Sequence, residues 1–197
     1  MALEFLQEVG RKTIHLTVLV ALIIFYAIDK SLGQQAAFMF LVALLVFFIV
    51  LEYFRLDLNI KIPFFHKYIK PREEDKVYGA IFFLSSAIIC LAVFSLPVAL
   101  AALLMTTFGD MTAAITGKKY GTTLLFRGKT LIGFLSELLV NLIIAGIISL
   151  SLSVNIYVPL AMAFIATITE TATDEMEDNL MVPIITGFIG QILLASI

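Results

Sequence analysis

The chain has 197 residues, 61% of them hydrophobic, with 13 Lys and Arg against 15 Asp and Glu, a formal net charge of −2 and one cysteine. A mean hydropathy of +1.05 excludes an ordinary soluble domain, because the apolar residues run in blocks far longer than a soluble core requires. The lone Cys90 excludes an intramolecular disulfide and a cysteine metal cluster, and the small net charge singles out no partner; nucleic acid is not expected as one.

Inside lipid only a helix or a closed barrel satisfies every backbone amide. Barrel strands would alternate polar and apolar residues with period two, and these blocks do not, so the sequence predicts helices. A spanning helix needs about 20 mostly apolar residues. Blocks of that kind lie near residues 13–29, 34–52, 78–94, 96–115, 131–151, 154–170 and 180–196. The expected fold is all-α: a polytopic integral membrane protein of about seven transmembrane helices in one compact bundle, with 1–197 as a single domain free of repeats and linkers.

The first block is followed by Asp29-Lys30 rather than a small-residue cleavage site, so no cleavable signal peptide is expected. The third and fourth blocks are divided only at Ser95 and Pro97, and Pro159 and Pro183 fall near the starts of the sixth and seventh. Proline fits a first helical turn, so these positions support the boundaries.

Seven spans would sort the basic residues by side. The N-terminus carries Arg11 and Lys12, the second loop Arg55, Lys61, Lys67, Lys70, Arg72 and Lys76, and the fourth loop Lys118, Lys119, Arg127 and Lys129; the opposite side receives only Lys30. Positively charged loops stay in the cytoplasm, which predicts a cytoplasmic N-terminus and a C-terminus on the far side.

Polar residues gather on the same cytoplasmic side. In "EVGRKTIH", Glu8, Arg11 and His15 recur at helical spacing with Lys12 beside them, a face able to grip an anion or simply to flank a span. Glu52 and Arg55, one turn apart, predict a local ion pair. The loop "PREEDKVYGA" brings Arg72 and Glu73 to the third span, or is a solvated charge run.

Gly109-Asp110 is followed by Ala113, Gly117 and Gly121, then by Gly128-Lys129-Thr130 and Gly133. Such glycines let a backbone approach a phosphate, a lysine adds a charge for it, and a carboxylate holds Mg²⁺; helix packing of the small-xxx-small kind is the alternative. A P-loop is excluded, because it needs glycine where Thr123 stands. Glu137 and Asn141, one turn apart in the fifth span, should face the interior and either line a site or bond a neighbouring helix. In the last loop Glu170, Asp174 and Glu177 share a helical face, with Asp178 and Asn179 adjacent and no basic residue. Carboxylates without lysine or arginine attract a hard divalent cation such as Mg²⁺.

Together these motifs resemble the CTP-dependent lipid alcohol kinases, which include dolichol (polyprenol) kinases, phytol kinases and CTP-dependent diacylglycerol kinases. The resemblance runs from residue 8 to about 187 and rests on Glu8, Arg11, Lys12 and His15; Arg72, Glu73, Tyr78 and Gly79; Gly109, Asp110, Ala113, Gly117 and Gly121; Gly128, Lys129, Thr130 and Gly133; Glu170; and Asp178, Asn179 and Pro183. The chain departs from the pattern at Ile132, where relatives often carry glutamate. Phosphatidate cytidylyltransferases are also similar, but their longer signature of lysine, aspartate, glycine and histidine does not follow Glu170.

The resemblance implies transfer of the γ-phosphate of CTP to a membrane lipid alcohol at the cytoplasmic face, with the bilayer and a nucleoside triphosphate as partners. Asp110, Lys129 and Glu170 would be catalytic, and Asp110, Glu170 and Asp178 would hold Mg²⁺. Arg11, Lys12, His15, Arg72, Gly109, Gly117, Gly121, Gly128 and Thr130 would bind the nucleotide phosphates. A homo-oligomer is compatible with this reading. A small ion-coupled transporter built on Asp110, Glu137 and Glu170 is the alternative of another class, although the sequence lacks the internal symmetry of many transporters. A structural scaffold would leave the intramembrane carboxylates unexplained.

Overall fold

A computed structural model describes residues 19–57, 79–173 and 178–197. Among the described residues there are seven α-helices: α1 over 19–32, α2 Gln34–Leu56, α3 Gly79–Val93, α4 Leu96–Tyr120, α5 Leu131–Leu152, α6 Tyr157–Ala172 and α7 Asp178–Ser196. Each coincides with one of the predicted blocks. Four of them, α2, α4, α5 and α7, are long and apolar enough to cross a membrane. The apolar helices α3 and α6 have 15 and 16 residues, about 23 Å of helix at 1.5 Å per residue against a hydrocarbon layer of about 30 Å.

The chain divides into two units, Met1–Ile88 and Ile89–Ile197, and α3 runs across the division. In the first, α1 and α2 meet at Gly33, whose φ of 92° is a conformation that side chains other than hydrogen resist. The Gly33 N–H donates to the Asp29 carbonyl at 3.1 Å, and Phe25 of α1 packs edge-on against Phe38 of α2 with ring centres 5.3 Å apart. Near the end of α2, Arg55 donates from Nε and Nη2 to the two oxygens of Glu52 at 2.9 and 2.6 Å. The ion pair expected from their spacing is therefore formed, and in the bidentate geometry that makes such pairs strongest.

The second unit is a compact bundle in which α4 packs on α5, α6 and α7, α5 on α6, and α6 on α7. Its apolar core joins Val98, Ala101, Ala102 and Met105 of α4 to Ile144, Ala145 and Ile148 of α5, Met162, Ala163 and Ala166 of α6 and Val182 of α7. The alanines matter because lipid tails are as apolar as leucine: helices in a bilayer associate through close van der Waals packing, which small residues permit.

The boundaries follow from local chemistry. Ser95 precedes α4 and Pro97 lies in its first turn, while the Ser95 N–H is taken by Gln191 Oε1 of α7 at 2.8 Å. Pro159 falls in the first turn of α6 as expected. Pro183 does not: it lies inside α7, which already includes Asp178. Proline has no N–H to return to the Asn179 carbonyl one turn earlier, a defect that membrane helices accept when neighbours complete the bonding.

Helix α5 is two-faced. Gly133, Glu137, Asn141, Ala145 and Ile148 are buried at steps of three and four, whereas Leu131, Leu135, Leu139, Ile143, Ile147 and Leu150 form an exposed apolar stripe on the opposite face. The stripe covers nineteen steps, about 28 Å of rise and close to the thickness of a hydrocarbon layer. On the buried face, a Cβ at residue 133 would lie 3.0 Å from the Ala113 carbonyl oxygen of α4, a backbone atom that cannot turn aside; at Gly146 it would meet nothing within 4 Å. Gly133→Ala should cost about 1–3 kcal/mol, and Gly146→Ala should gain about 0.5–1 kcal/mol, both read as shifts in the unfolding midpoint of the detergent-solubilised protein.

Candidate functional site

The connection from α4 to α5 is a small hairpin rather than a phosphate loop. Leu124 and Thr130 form an antiparallel bridge; the Leu131 N–H donates to the Thr123 carbonyl at 2.9 Å, Leu125 to Lys129 at 2.8 Å and Lys129 to Phe126 at 2.9 Å. At its tip Arg127 has φ 49° and Gly128 φ 80°. Two successive positive φ values closed by a bond from residue 129 to residue 126 make a type I′ turn, whose twist suits a two-residue hairpin loop. The turn itself thus accounts for glycine at 128.

Threonine 130 then starts α5. Its Oγ1 accepts the Gly133 N–H at 3.2 Å, an N-cap that satisfies one of the donors left over at a helix start. Its side chain also fills the space left by Gly117 of α4 and by Gly121, which follows that helix: a Cβ at Gly117 would lie 2.9 Å from Thr130 Oγ1, and one at Gly121 would lie 2.7 Å from Thr130 Cβ. The Gly121 N–H already donates to the Gly117 carbonyl at 2.9 Å, and Gly117 lies within α4. Neither amide is spare for a phosphate, and the glycines expected to cradle a nucleotide pack against Thr130.

The hairpin delivers Lys129 to the end of the bundle. Its Nζ donates to Glu170 Oε1 at 2.6 Å and also to the Glu170 backbone carbonyl. Around this contact three carboxylates from three helices converge: Asp110 of α4, Glu170 of α6 and Asp178 of α7 are all buried, and one oxygen of each lies within 4.8 Å of the other two. Glu137 and Asn141 form the adjoining wall from α5, and both are buried. A Cβ at Gly109 would come to 2.8 Å from Asn141 Oδ1 and 3.0 Å from Glu137 Cγ, so glycine beside Asp110 is what lets this polar pair approach. Asn141 Nδ2 in turn donates to Thr167 Oγ1 at 3.0 Å, which ties α5 to α6 one turn below Glu170.

Burial pulls the Lys129 ammonium toward its neutral form, but the charge and hydrogen bond of Glu170, with Asp178 and Asp110 behind it, outweigh this and raise its pKa above the ordinary 10.5. Carboxylates gathered in a region of low dielectric favour cationic partners, and among the described residues Lys129 is one of them. The donors are oxygens alone, which suits a hard ion. The three oxygens lie within 4.8 Å of one another, close enough for one hard divalent cation to touch all three.

Of the residues singled out in the sequence, Asp110, Lys129, Glu170 and Asp178 are brought together, with Gly109 beside them through Asn141. Gly117, Gly121 and Thr130 pack against one another, and Gly128 lies at the exposed turn. Arg11, Lys12, His15 and Arg72, together with Asp174 and Glu177, lie outside the described residues. Thr167 escaped sequence reasoning, because a threonine that also returns its hydroxyl to the carbonyl four residues back, here Ala163 at 3.0 Å, is ordinary in a membrane helix.

Lys129→Met should destabilise the detergent-solubilised protein by about 3 kcal/mol, since it breaks the buried ion pair with Glu170. The raised Lys129 pKa contributes stability that is complete below pH 10.5 and is lost as pH climbs through the higher folded value. Unfolding midpoints of the wild type should accordingly fall in that alkaline range relative to Lys129→Met. No family model, curated protein or solved structure matches this chain.

Proposed function

We propose that this chain is a multi-pass membrane kinase that transfers the γ-phosphoryl group of CTP to the hydroxyl of a lipid alcohol, such as a polyprenol, phytol, geranylgeraniol or diacylglycerol, at the cytoplasmic face. The observation that carries this reading is the convergence of Asp110, Glu170 and Asp178 with Lys129 at one end of a bundle containing membrane-length helices. Phosphoryl transfer asks a protein mainly for positioning and charge neutralisation, and a trio of oxygen donors with one lysine supplies the means for both.

Depth supports a lipid acceptor. Glu137 lies six residues inside the start of the exposed apolar stripe of α5, about 9 Å along the helix. A wall at that depth adjoins the layer where a lipid alcohol holds its hydroxyl, while the γ-phosphate of a cytosolic nucleotide arrives from above. The transporter alternative is disfavoured by the other half of the bundle, where, among the described residues, Ile144, Ile148, Val158 and Met162 fill the interior with apolar side chains.

In this reading Asp110, Glu170 and Asp178 hold Mg²⁺, which neutralises phosphate charge when bound. Lys129 has three donors; with Glu170 engaging part of them, the remainder reaches phosphate oxygen. The family resemblance assigns Arg11, Lys12, His15 and Arg72, which lie outside the described residues, to the nucleotide phosphates as well. One carboxylate of the group accepts the hydroxyl proton while the lipid oxygen bonds to the γ-phosphorus. The bond from that phosphorus to the β–γ bridging oxygen breaks, and CDP leaves with the electron pair.

Purified protein with Mg²⁺ and γ-labelled CTP, ATP, GTP or UTP, offered each lipid alcohol in turn, should move label from CTP into the lipid phase. Asp110→Asn should lower turnover by about 10²-fold or more, whatever the Mg²⁺ concentration. Near-normal turnover in that variant would overturn the assignment of Asp110. Absence of γ-label in every lipid, with cytidine label entering added phosphatidate, would establish a cytidylyltransferase instead.

A further inference from the structure

Four buried carboxylates gather near the hairpin, but only three of them form the cation trio. Asp110, Glu170 and Asp178 each place an oxygen within 4.8 Å of the other two, and Glu170 is also held by Lys129 at 2.6 Å. Glu137, 2% exposed, stands outside the trio and takes no hydrogen bond or ion pair from any described residue. A carboxyl group withdrawn from water in that way is costly unless a donor meets it.

Beside it is a second acceptor without a donor. Asn141 is fully buried, and its Nδ2 donates to Thr167 Oγ1 at 3.0 Å. That hydroxyl gives its own hydrogen to the Ala163 carbonyl at 3.0 Å, so toward Asn141 it can only accept, and the amide is fixed with Oδ1 turned away from Thr167. No described residue donates to that oxygen. A Cβ built on Gly109 would lie 2.8 Å from Asn141 Oδ1 and 3.0 Å from Glu137 Cγ, so both acceptors border one point of the α4 backbone. Adjacent buried acceptors with no donor between them need a ligand that brings one, and a hydroxyl is the group a lipid alcohol carries to this depth.

We propose that Glu137 is the carboxylate that orients the lipid hydroxyl and accepts its proton, with Asn141 Oδ1 as the acceptor for the acid so formed. The inference rests on the kinase reading and names the base within it. Before transfer the lipid O–H donates to the Glu137 carboxylate. As the lipid oxygen bonds to the γ-phosphorus, the proton passes to Glu137, the bond to the β–γ bridging oxygen breaks, and CDP takes the electron pair. Glu137 is then a carboxylic acid with one O–H to donate, and Asn141 Oδ1, one turn along α5, receives it. The trio suits this role less, because a carboxylate whose lone pairs face a divalent cation loses basicity to it.

Glu137→Gln keeps the shape of the side chain and removes its basicity. Full-length wild type and variant in detergent are given Mg²⁺, γ-labelled CTP and the alcohol that the wild type labels best among polyprenol, geranylgeraniol, phytol and diacylglycerol. Each is then given the analogue of that alcohol fluorinated beside the carbinol carbon, whose hydroxyl is more acidic and depends less on a base. The variant should lose about 10²-fold or more in kcat, with the KM for CTP and the Mg²⁺ concentration for half-maximal rate unchanged, and the loss should be several-fold smaller with the fluorinated alcohol. Near-normal turnover would overturn the proposal. So would recovery at high Mg²⁺, which would make Glu137 a metal ligand, or an equal loss with both alcohols, which would make its role structural. Those three outcomes leave the kinase reading standing, whereas a wild type that moves no label from any nucleotide would overturn both.

Discussion

Burial of carboxylates around the Lys129 ammonium is the constraint on which the second unit turns. Asp110, Glu137, Glu170 and Asp178 are all withdrawn from solvent, and ionised groups so placed cost several kcal/mol each unless they are paired or bound to a cation. Lys129 meets part of that demand, and it reaches Glu170 only because a tight hairpin reverses the chain immediately before α5. The type I′ turn, the Thr130 cap and the packing of Thr130 into the space beside Gly117 and Gly121 are the mechanical supports of one charged side chain.

The same constraint explains the composition of α4 and α5. A glycine at 109 admits Asn141 and Glu137 beside Asp110, and one at 133 admits the Ala113 carbonyl. With larger side chains the two helices would be pushed apart, and the polar wall would lose its place against the cluster. Helix α5 can carry that wall and still suit a membrane because its two faces are chemically distinct: buried polar and small residues on one, leucine and isoleucine on the other. The polar groups occupy the half of the bundle near the hairpin, and the apolar core of alanine, methionine, valine and isoleucine closes the other half.

Several features were legible from residues alone because they depend on local rules. Apolar blocks of helical length located seven helices, Ser95 and Pro97 divided α3 from α4, and the spacing of Glu52 and Arg55 produced the expected ion pair. Crossing length was less legible: hydropathy counts apolar residues without knowing where a helix stops, and α6 stops after 16. Pro183 misled for a related reason, since proline marks a first turn only on average and a buried helix end can extend past it.

The sequence by itself determined the class of the protein, an all-α chain with membrane-length helices, together with the residue types a phosphate and metal site would need, because periodicity, hydropathy and charge are properties of short stretches. Only the tertiary structure decided which of those residues meet. Asp110, Lys129, Glu170 and Asp178 span 69 positions of chain and come together through the packing of α4, α6 and α7 around a hairpin, a matter of long-range contact that no local pattern encodes. Packing likewise decided what the glycines do: the same small residues that permit a phosphate to approach a backbone permit another helix to do so, and here the neighbouring helix and Thr130 occupy the space.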